Sequence, residues 1–100
     1  RWKYGIVSQV WNMRRPRVSW MTQADDRLLE TLEESGLILS PRILAENTDY
    51  SRHYVSERLA ILLEGSLVQK EDEGLYQITE RGRQYLAGDL DAEYLQLDEE

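Results

Sequence analysis

Cysteine and phenylalanine are absent from this 100-residue sequence, and histidine occurs once. The lack of cysteine excludes disulfide bonds and zinc sites built on thiolates, and it fits an intracellular protein, so we expect a cytoplasmic location. The lack of phenylalanine leaves tryptophan and tyrosine as the large side chains of a core built mainly from leucine. A chain of this length allows a single domain and is short of the size that buries a large core.

The sequence shows neither a membrane-spanning segment nor a catalytic arrangement of side chains. No apolar run approaches the roughly 20 residues of a membrane-spanning helix, and no secretory signal is visible, so we expect no membrane partner. His53 has no second histidine and no cysteine with which to form a usual metal site. A catalytic arrangement with Ser51 or Ser56 would need a cleft, of which such a small domain gives no sign. We therefore predict that the chain is not an enzyme and has no metal, cofactor or small-molecule substrate.

Acidic residues outnumber basic ones, 19 to 12, which gives a formal net charge of −7. Residues 1–20 contain five basic residues and no acidic one, a charge of +5, so the other 80 residues hold 7 basic and 19 acidic side chains, a charge of −12. Such an acidic domain is expected in a cell that accumulates multimolar salt, where hydrated carboxylates keep proteins soluble. An ordinary acidic interaction domain is the alternative.

Two short helices joined by a tight turn are predicted in the middle of the chain. Ser40 is a good N-cap, and Pro41 suits the first helical turn, where its missing N–H costs nothing. Ile43 and Leu44 supply the inward face of this first helix. A three-residue turn at 48–50 then leads into the second helix.

The second helix is predicted over residues 51–64. Ser51 is its N-cap candidate, and Gly65 stands where a C′ glycine would end the helix. Apolar residues at i, i+4 and i+7 form its buried face: Val55, Leu59 and Leu62.

A hairpin and two flanking helices complete the pattern. β-prone runs at 67–68 and 75–78 flank a charged turn that contains a glycine. Thr79 caps a further helix, and Thr22 begins an upstream helix with a capping box in which Asp25 replaces glutamate. Helix, turn, helix and ribbon in this order form a winged helix-turn-helix, the arrangement that inserts a helix into the DNA major groove. We therefore predict a mainly α fold with a small β-hairpin.

A set of short motifs is distributed over residues 20–95: Trp20-Met21-Thr22, Asp25-Asp26, Leu28-Leu29-Glu30, Ser40-Pro41, Asn47-Thr48, Tyr50-Ser51, Tyr54-Val55, Arg58-Leu59, Ile78-Thr79-Glu80, Gly82 and Tyr85-Leu86. In these motifs the chain resembles the haloarchaeal winged-helix regulators described as similar to the repressor of the halophage phiH. Among these motifs, the run from Asn47 to Val55 is the most specific to this family. The resemblance implies a DNA-binding protein of transcriptional control.

The exposed face of the second helix, together with the wing, supplies the predicted DNA contacts: Ser51, Arg52, His53, Ser56, Glu57, Arg58 and Lys70. Arg52 suits a guanine or a phosphate, Ser56 is versatile, and Glu57 could accept a hydrogen bond from a cytosine amine. Ser51 and nearby backbone N–H groups could anchor a phosphate.

These assignments have structural alternatives. Arg52 can be a solvated residue of the first turn, and Glu57 can pair within the helix at i, i+4. Arg58 lies beside the buried stripe, where a structural salt bridge is as well founded as a contact with DNA. Lys70 precedes Glu71-Asp72-Glu73 at the wing tip, and these carboxylates oppose phosphate unless the wing turns away or salt screens them.

We divide the chain into a basic N-terminal extension (residues 1–20), a winged helix-turn-helix domain (21–88) and an acidic C-terminal tail (89–100). The extension is a basic arm that follows DNA, a segment that packs on the domain or on a partner, or a stretch translated from upstream of the family's usual start. The tail is long enough for a short helix that packs across a two-fold axis. Because operators of helix-turn-helix proteins are usually palindromic, we expect a homodimer.

Two functions are compatible with the sequence. The first is a sequence-specific transcriptional regulator, a repressor by resemblance, that reads double-stranded DNA with helix 51–64 in the major groove. The second is a winged-helix protein-interaction module that does not bind DNA and whose acidic surface faces another protein.

Overall fold

The computed structural model describes residues 19–90, which form four helices and a two-stranded antiparallel hairpin. In chain order the elements are α1 (Gln23–Ser35), α2 (Pro41–Thr48), α3 (Arg52–Glu64), β1 (Val68–Asp72), β2 (Leu75–Ile78) and α4 (Glu80–Ala87). The predicted winged helix-turn-helix, mainly α with a small hairpin, is therefore confirmed. The predictions for residues 1–18 and 91–100, which make up most of the basic extension and the acidic tail, lie outside the described residues.

Side-chain caps set where each helix begins. Thr22 Oγ1 accepts the N–H of Asp25 at 3.3 Å, and Asp25 Oδ2 accepts the N–H of Thr22 at 3.0 Å, so the predicted capping box is present. Ser40, Ser51 and Thr79 each accept a backbone N–H three residues onward, at the starts of α2, α3 and α4. Each cap provides a partner for a donor that the helix itself leaves unpaired. All four predicted caps are confirmed.

The core lies where α1, α3 and α4 meet the hairpin, and it is built mainly from leucine, with Tyr76 and Tyr85 as its buried aromatic side chains. The predicted stripe of α3 is fully buried, since Val55, Leu59 and Leu62 are each 0% exposed. The remaining core residues come from every other element and from the segment after α3: Leu28, Leu29, Leu32, Leu44, Leu67, Val68, Tyr76, Ile78, Tyr85 and Leu86.

The wing is tied to the helical part of the domain by a bridge that the sequence did not predict. β1 and β2 pair with Gln69 opposite Gln77 and Lys70 opposite Tyr76. On the other side of β2, Leu39 exchanges two backbone hydrogen bonds of 2.8 Å with Tyr76. Because Leu39 immediately precedes the cap of α2, this bridge connects the wing directly to the helix-turn-helix.

Helix α4 closes the domain by contacts at both of its ends. Thr79 Oγ1 donates to the carbonyl oxygen of Ser66 at 2.7 Å, at the end of α3. The hydroxyl of Tyr85 donates to Asp26 of α1 at 2.7 Å. Between them, the guanidinium of Arg83 forms an ion pair with Glu33 of α1 at 3.0 Å. These contacts fix α4 against α1 and against the turn that follows α3.

Three details of the helix-turn-helix differ from the prediction. Ile43 is 42% exposed and does not face inward, because in an eight-residue helix the inward positions are Leu44 and Thr48, one turn apart. Thr48 belongs to α2 and donates its hydroxyl to the carbonyl of Leu44 at 2.6 Å. Gly65 ends α3 with φ −83°, and the left-handed position is taken by Ser66 with φ 66°.

The left-handed Ser66 completes a Schellman motif at the end of α3. The N–H of Ser66 donates to the carbonyl of Leu63, and the N–H of Leu67 donates to the carbonyl of Leu62, both at 3.0 Å. The predicted C′ glycine is therefore wrong by one residue, and a serine occupies the position that glycine usually fills.

Candidate nucleic-acid interface

The leading turn of α3 is exposed. Ser51, Arg52, His53, Ser56 and Glu57 are all exposed residues, whereas the opposite face of the same helix is buried. Ser51 Oγ accepts the N–H of Tyr54 at 3.1 Å, so the N–H groups of the first two helical residues remain without a carbonyl of the helix itself to accept them. The helix thus presents donors, hydroxyl groups and one arginine at the end that usually reaches DNA.

A contact between a histidine and a carboxylate crosses this exposed face. His53 Nε2 lies 3.2 Å from Glu57 Oε2, and the two side chains are 85% and 58% exposed. The spacing is i, i+4, so the intrahelical pairing considered for Glu57 is observed. A pair this exposed contributes little to stability, so either side chain can leave the other to contact a base.

The turn before α3 contains a left-handed residue and a contact between two tyrosine rings. Asp49 adopts the left-handed conformation with φ 67° and donates its N–H to the carbonyl of Ala45, which ends α2. The rings of Tyr50 and Tyr54 meet at a centroid distance of 5.8 Å with a tilt of 57°. Both rings are half-buried, so packing is their observed use. The ring contact therefore packs the last residue before the Ser51 cap against the first turn of α3.

Arg58 forms the structural salt bridge that was considered for it, and its contact with DNA stays a prediction. Its Nε donates to Asp25 Oδ1 at 2.8 Å, and one terminal nitrogen donates to Asp25 Oδ2 at 2.6 Å and to the carbonyl of Trp20 at 2.9 Å. The side chains of Arg58 and Asp25 are 15% and 0% exposed. The hydrogen bond to Asp25 raises the pKa of Arg58, so the guanidinium stays charged.

The two faces of the wing carry different groups. Lys70 is exposed on β1. The carboxylate of Glu71 accepts hydrogen bonds from the side-chain amides of Gln69 and Gln77, which lie opposite each other across the hairpin. Because successive strand residues point to opposite faces, the Lys70 side chain is separated from this polar cluster. Of the three acidic residues at the tip, Glu71 is therefore turned toward the face away from Lys70.

The sequence profile of the winged helix-turn-helix phage repressor family matches residues 13–98. The chain belongs to this family. The repressor protein of Halobacterium phage phiH is 37% identical over 84 residues, which cover 80% of this chain and 94% of that repressor. The crystal structure of the PhiH1 repressor-like protein from Haloarcula marismortui matches with a TM-score of 0.73 and 41% identity, over 78% of this chain and 90% of that one.

Membership of the phage repressor family confirms the resemblance to the halophage phiH regulators and the winged-helix fold. The family is one of regulators and not of enzymes, in agreement with the prediction. Across residues 19–90, no helix combines the length and apolar character needed to cross a membrane. In that same part of the chain, no group of three or more histidine, aspartate or glutamate side chains is arranged to hold a metal ion.

Sequence reasoning missed the role of Asp25 beyond its cap. The same carboxylate that caps α1 also accepts both contacts from Arg58, 33 residues further along the chain. The only available signal was Arg58 next to the apolar stripe of α3, which implied a partner without identifying it. A cap and an ion pair that share one buried carboxylate hold α1 and α3 together.

Proposed function

We propose that the chain is a sequence-specific DNA-binding repressor that inserts α3 into the major groove. The exposed leading turn of α3 carries this proposal, because Ser51, Arg52 and His53 stand out from the domain while Val55 and Leu59 are fully buried. Helix-turn-helix proteins contact base edges with the N-terminal residues of their second helix. Membership of the phage repressor family supports the same function.

The residues of this surface divide into base and phosphate contacts. Arg52 can donate two hydrogen bonds to a guanine, and Glu57 can accept one from a cytosine once it parts from His53, 3.2 Å away. Ser56 can pair with either kind of base. The hydroxyl of Ser51 and the backbone N–H groups of the first two residues of α3 can bind a phosphate. Lys70 on the exposed face of β1 can do the same.

We also propose that the repressor acts as a homodimer. Two copies related by a two-fold axis would present two α3 helices to half-sites about one helical turn, roughly 34–36 Å, apart. A dimer would also add buried surface to a small core. Molecular mass measured in multimolar salt tests this, and a mass corresponding to one chain at every concentration would contradict it.

The acidic composition fits the cytoplasm of a salt-accumulating cell. The 80 residues after the first 20 carry a charge of −12, and the relatives named above belong to a Halobacterium phage and to Haloarcula marismortui. At about 1 M salt the Debye length is about 3 Å, so self-repulsion and repulsion from phosphate are both screened. We expect the midpoint of thermal unfolding to rise between about 0.2 M and about 3 M KCl, and a falling midpoint would contradict this proposal.

Arg52→Ala tests DNA reading directly. An operator is first selected from genomic fragments, and its affinity for each variant is then measured in both low and multimolar salt. Loss of a base contact of about 1–3 kcal/mol predicts an affinity about 5- to 150-fold weaker. Arg27→Ala, which removes the same charge from an exposed position on α1, is the matched control and should have little effect. Equal affinities for the two variants would refute the proposal and favour the protein-interaction module.

A further inference from the structure

Exposed aliphatic side chains are concentrated in one part of the surface. Residues 19–90 contain four large apolar side chains that are strongly exposed, and three of them lie close together in sequence: Leu37, Ile38 and Ile43, which we call the apolar patch. We propose that the apolar patch is the surface through which two copies of this chain meet. The inference rests on the homodimer proposed above and identifies its interface.

The backbone that carries the apolar patch is held by hydrogen bonds. The side-chain oxygen of Ser35 accepts the N–H of Leu37 at 3.1 Å. Leu39 is bound to Tyr76 of the wing by two backbone hydrogen bonds. Ile43 belongs to the first turn of α2, where its own N–H is accepted by the cap of that helix. Because this backbone is already fixed, association needs to order little additional chain.

A groove beside the patch suits a protein side chain better than a small molecule. It has a volume of about 270 Å³ and is lined by the aliphatic side chains of Leu37, Leu39 and Ile43, with Glu34 and Asn47 among its polar residues. Sites for small molecules usually have volumes of about 300–1,000 Å³ and enclose most of the ligand. This groove is smaller and open to solvent, so it fits an aliphatic side chain from a facing protein surface.

The distribution of charge favours a second copy of the same chain as that facing surface. Residues 35–45 contain one basic residue, Arg42, and no acidic one. In contrast, the 80 residues after position 20 hold 19 acidic side chains. Two copies of so acidic a domain repel each other least where carboxylates are missing. The apolar patch lies entirely within this stretch.

The exposed face of α2 is also complementary to itself. Arg42, Ile43 and Glu46 are all exposed on this eight-residue helix, and position 46 is one turn after position 42. A two-fold axis across the middle of the helix makes the two α2 helices antiparallel and brings position 42 of one copy opposite position 46 of the other. Each Arg42 then meets a Glu46, and the two Ile43 side chains lie between these pairs.

The apolar patch leaves the candidate DNA contacts free. It shares no residue with the positions on α3 and β1 that are proposed to contact bases or phosphates. Helix α2 packs directly against α3. A contact between two α2 helices would therefore set the separation of the two α3 helices, which has to match the spacing of the operator half-sites.

Glutamate substitutions test the apolar patch in the full chain. Ile43→Glu and Leu37→Glu each place a carboxylate in the interface, and the two-fold axis repeats each change. We expect the dissociation constant of the dimer to rise at least about tenfold, as it does for side chains at the centre of an interface. Leu63→Glu is the matched control, because Leu63 is also exposed but belongs to α3 and lies outside the patch. Sedimentation equilibrium in multimolar KCl measures the dissociation constant, and circular dichroism establishes that each variant is folded.

A charge exchange tests the two-fold geometry. Arg42→Glu and Glu46→Arg should each weaken the dimer, because like charges then face each other across the axis. The double variant should recover the wild-type dissociation constant, because both pairs are restored with their signs reversed. It also places an acid near the start of α2 and a base near its end, which suits the helix dipole and preserves the fold. The comparison uses the lowest KCl concentration at which the wild type stays folded, since salt screens the pairs.

Weaker dimers for the two patch variants, with Leu63→Glu unchanged, would support the interface. A wild-type dimer that tolerates both patch variants, or that Leu63→Glu weakens equally, would overturn the inference and leave the homodimer intact. The patch would then belong to a different protein or to a segment of this chain outside residues 19–90. A double variant no tighter than the single ones would overturn the antiparallel arrangement of α2, and this result decides the matter if a glutamate variant is unfolded. A wild-type chain that stays monomeric would overturn both the inference and the homodimer.

Discussion

The carboxylate of Asp25 lies 2.8 and 2.6 Å from two nitrogens of the Arg58 guanidinium, and it also caps α1 by accepting the N–H of Thr22 at 3.0 Å. One fully buried side chain therefore both starts α1 and fixes α3 against it. Because α3 is the helix proposed to read DNA, its orientation depends on a residue that is far from it in sequence and has no access to DNA.

Asp25→Asn should destabilise the domain strongly. The substitution keeps the shape of the side chain but leaves the Arg58 guanidinium buried without its counter-charge, which costs about 3–5 kcal/mol when a buried pair loses one partner. Chemical denaturation followed by circular dichroism measures the change. Glu33→Gln is the control, because it removes a carboxylate from the partly exposed pair with Arg83, and such pairs contribute about 0–1 kcal/mol. Similar losses for the two variants would contradict the role assigned to Asp25.

Ser66→Gly should stabilise the domain. Ser66 has φ 66°, a conformation that costs a non-glycine residue about 1–2 kcal/mol and costs glycine nothing. Glycine in turn raises the conformational entropy of the unfolded chain, which lowers the stability of the fold by about 0.4–1 kcal/mol. We expect a net gain of about 0.5–1 kcal/mol and a midpoint of thermal unfolding that rises by about 2–8 °C. Ser56→Gly, at an exposed interior position of α3, should lower the midpoint instead. A fall in the midpoint for Ser66→Gly would show that the serine side chain contributes something the backbone geometry does not reveal.

Gly82→Ala should destabilise the packing of α4 on the turn after α3. A Cβ at Gly82 would lie 2.6 Å from Cγ1 of Ile78 and closer still to the carbonyl oxygen of Leu67. That carbonyl is backbone and accepts the N–H of Thr79 at 3.1 Å, so it cannot move away freely. We expect a loss of about 1–3 kcal/mol in the free energy of unfolding. Gln84→Ala on the exposed side of α4 should change it by less than about 0.5 kcal/mol. An unchanged stability for Gly82→Ala would mean that α4 can shift without loss.

The parts of the fold that sequence reasoning predicted correctly depend on local signals. Thr22, Ser40, Ser51 and Thr79 cap their helices because the cap and its N–H partner are only three residues apart. The buried stripe of α3 follows from helical periodicity alone. These features require no knowledge of what packs against the helix.

The parts that were missed depend on distant partners or on backbone shape. The Asp25–Arg58 pair and the Leu39–Tyr76 bridge each join residues more than 30 positions apart. Ile43 was assigned to the wrong face because α2 is too short for its apolar residues to define one direction. The left-handed Ser66 was missed because the adjacent glycine was the more usual choice for that conformation.

The residues of the proposed site also divide into those that local signals predict and those that depend on a distant partner. The exposed face of α3 could be derived from the stripe on its opposite side, so Arg52, His53, Ser56 and Glu57 were predicted as exposed and are exposed. Arg58 lies on the border between the two faces, where helical periodicity cannot identify a buried ion pair. The pair becomes visible only from the position of Asp25, which is distant in sequence.

The absence of cysteine permits a direct measurement of where α3 lies on DNA. Ala60→Cys introduces a unique thiol on the exposed face of α3, one turn beyond Ser56, and Gln84→Cys introduces one on the exposed side of α4. Each thiol is coupled to a chelated iron that cleaves nearby DNA, and the cuts are mapped on the selected operator. Retained operator affinity and an unchanged unfolding midpoint establish that each labelled variant is intact.

If α3 reads the DNA, cleavage will be strong within each operator half-site from position 60 and weak or absent from position 84. This pattern would mean that α3 lies in the groove and α4 faces away from the duplex. Strong cleavage from position 84 with none from position 60 would contradict the central claim that α3 is the DNA-reading helix.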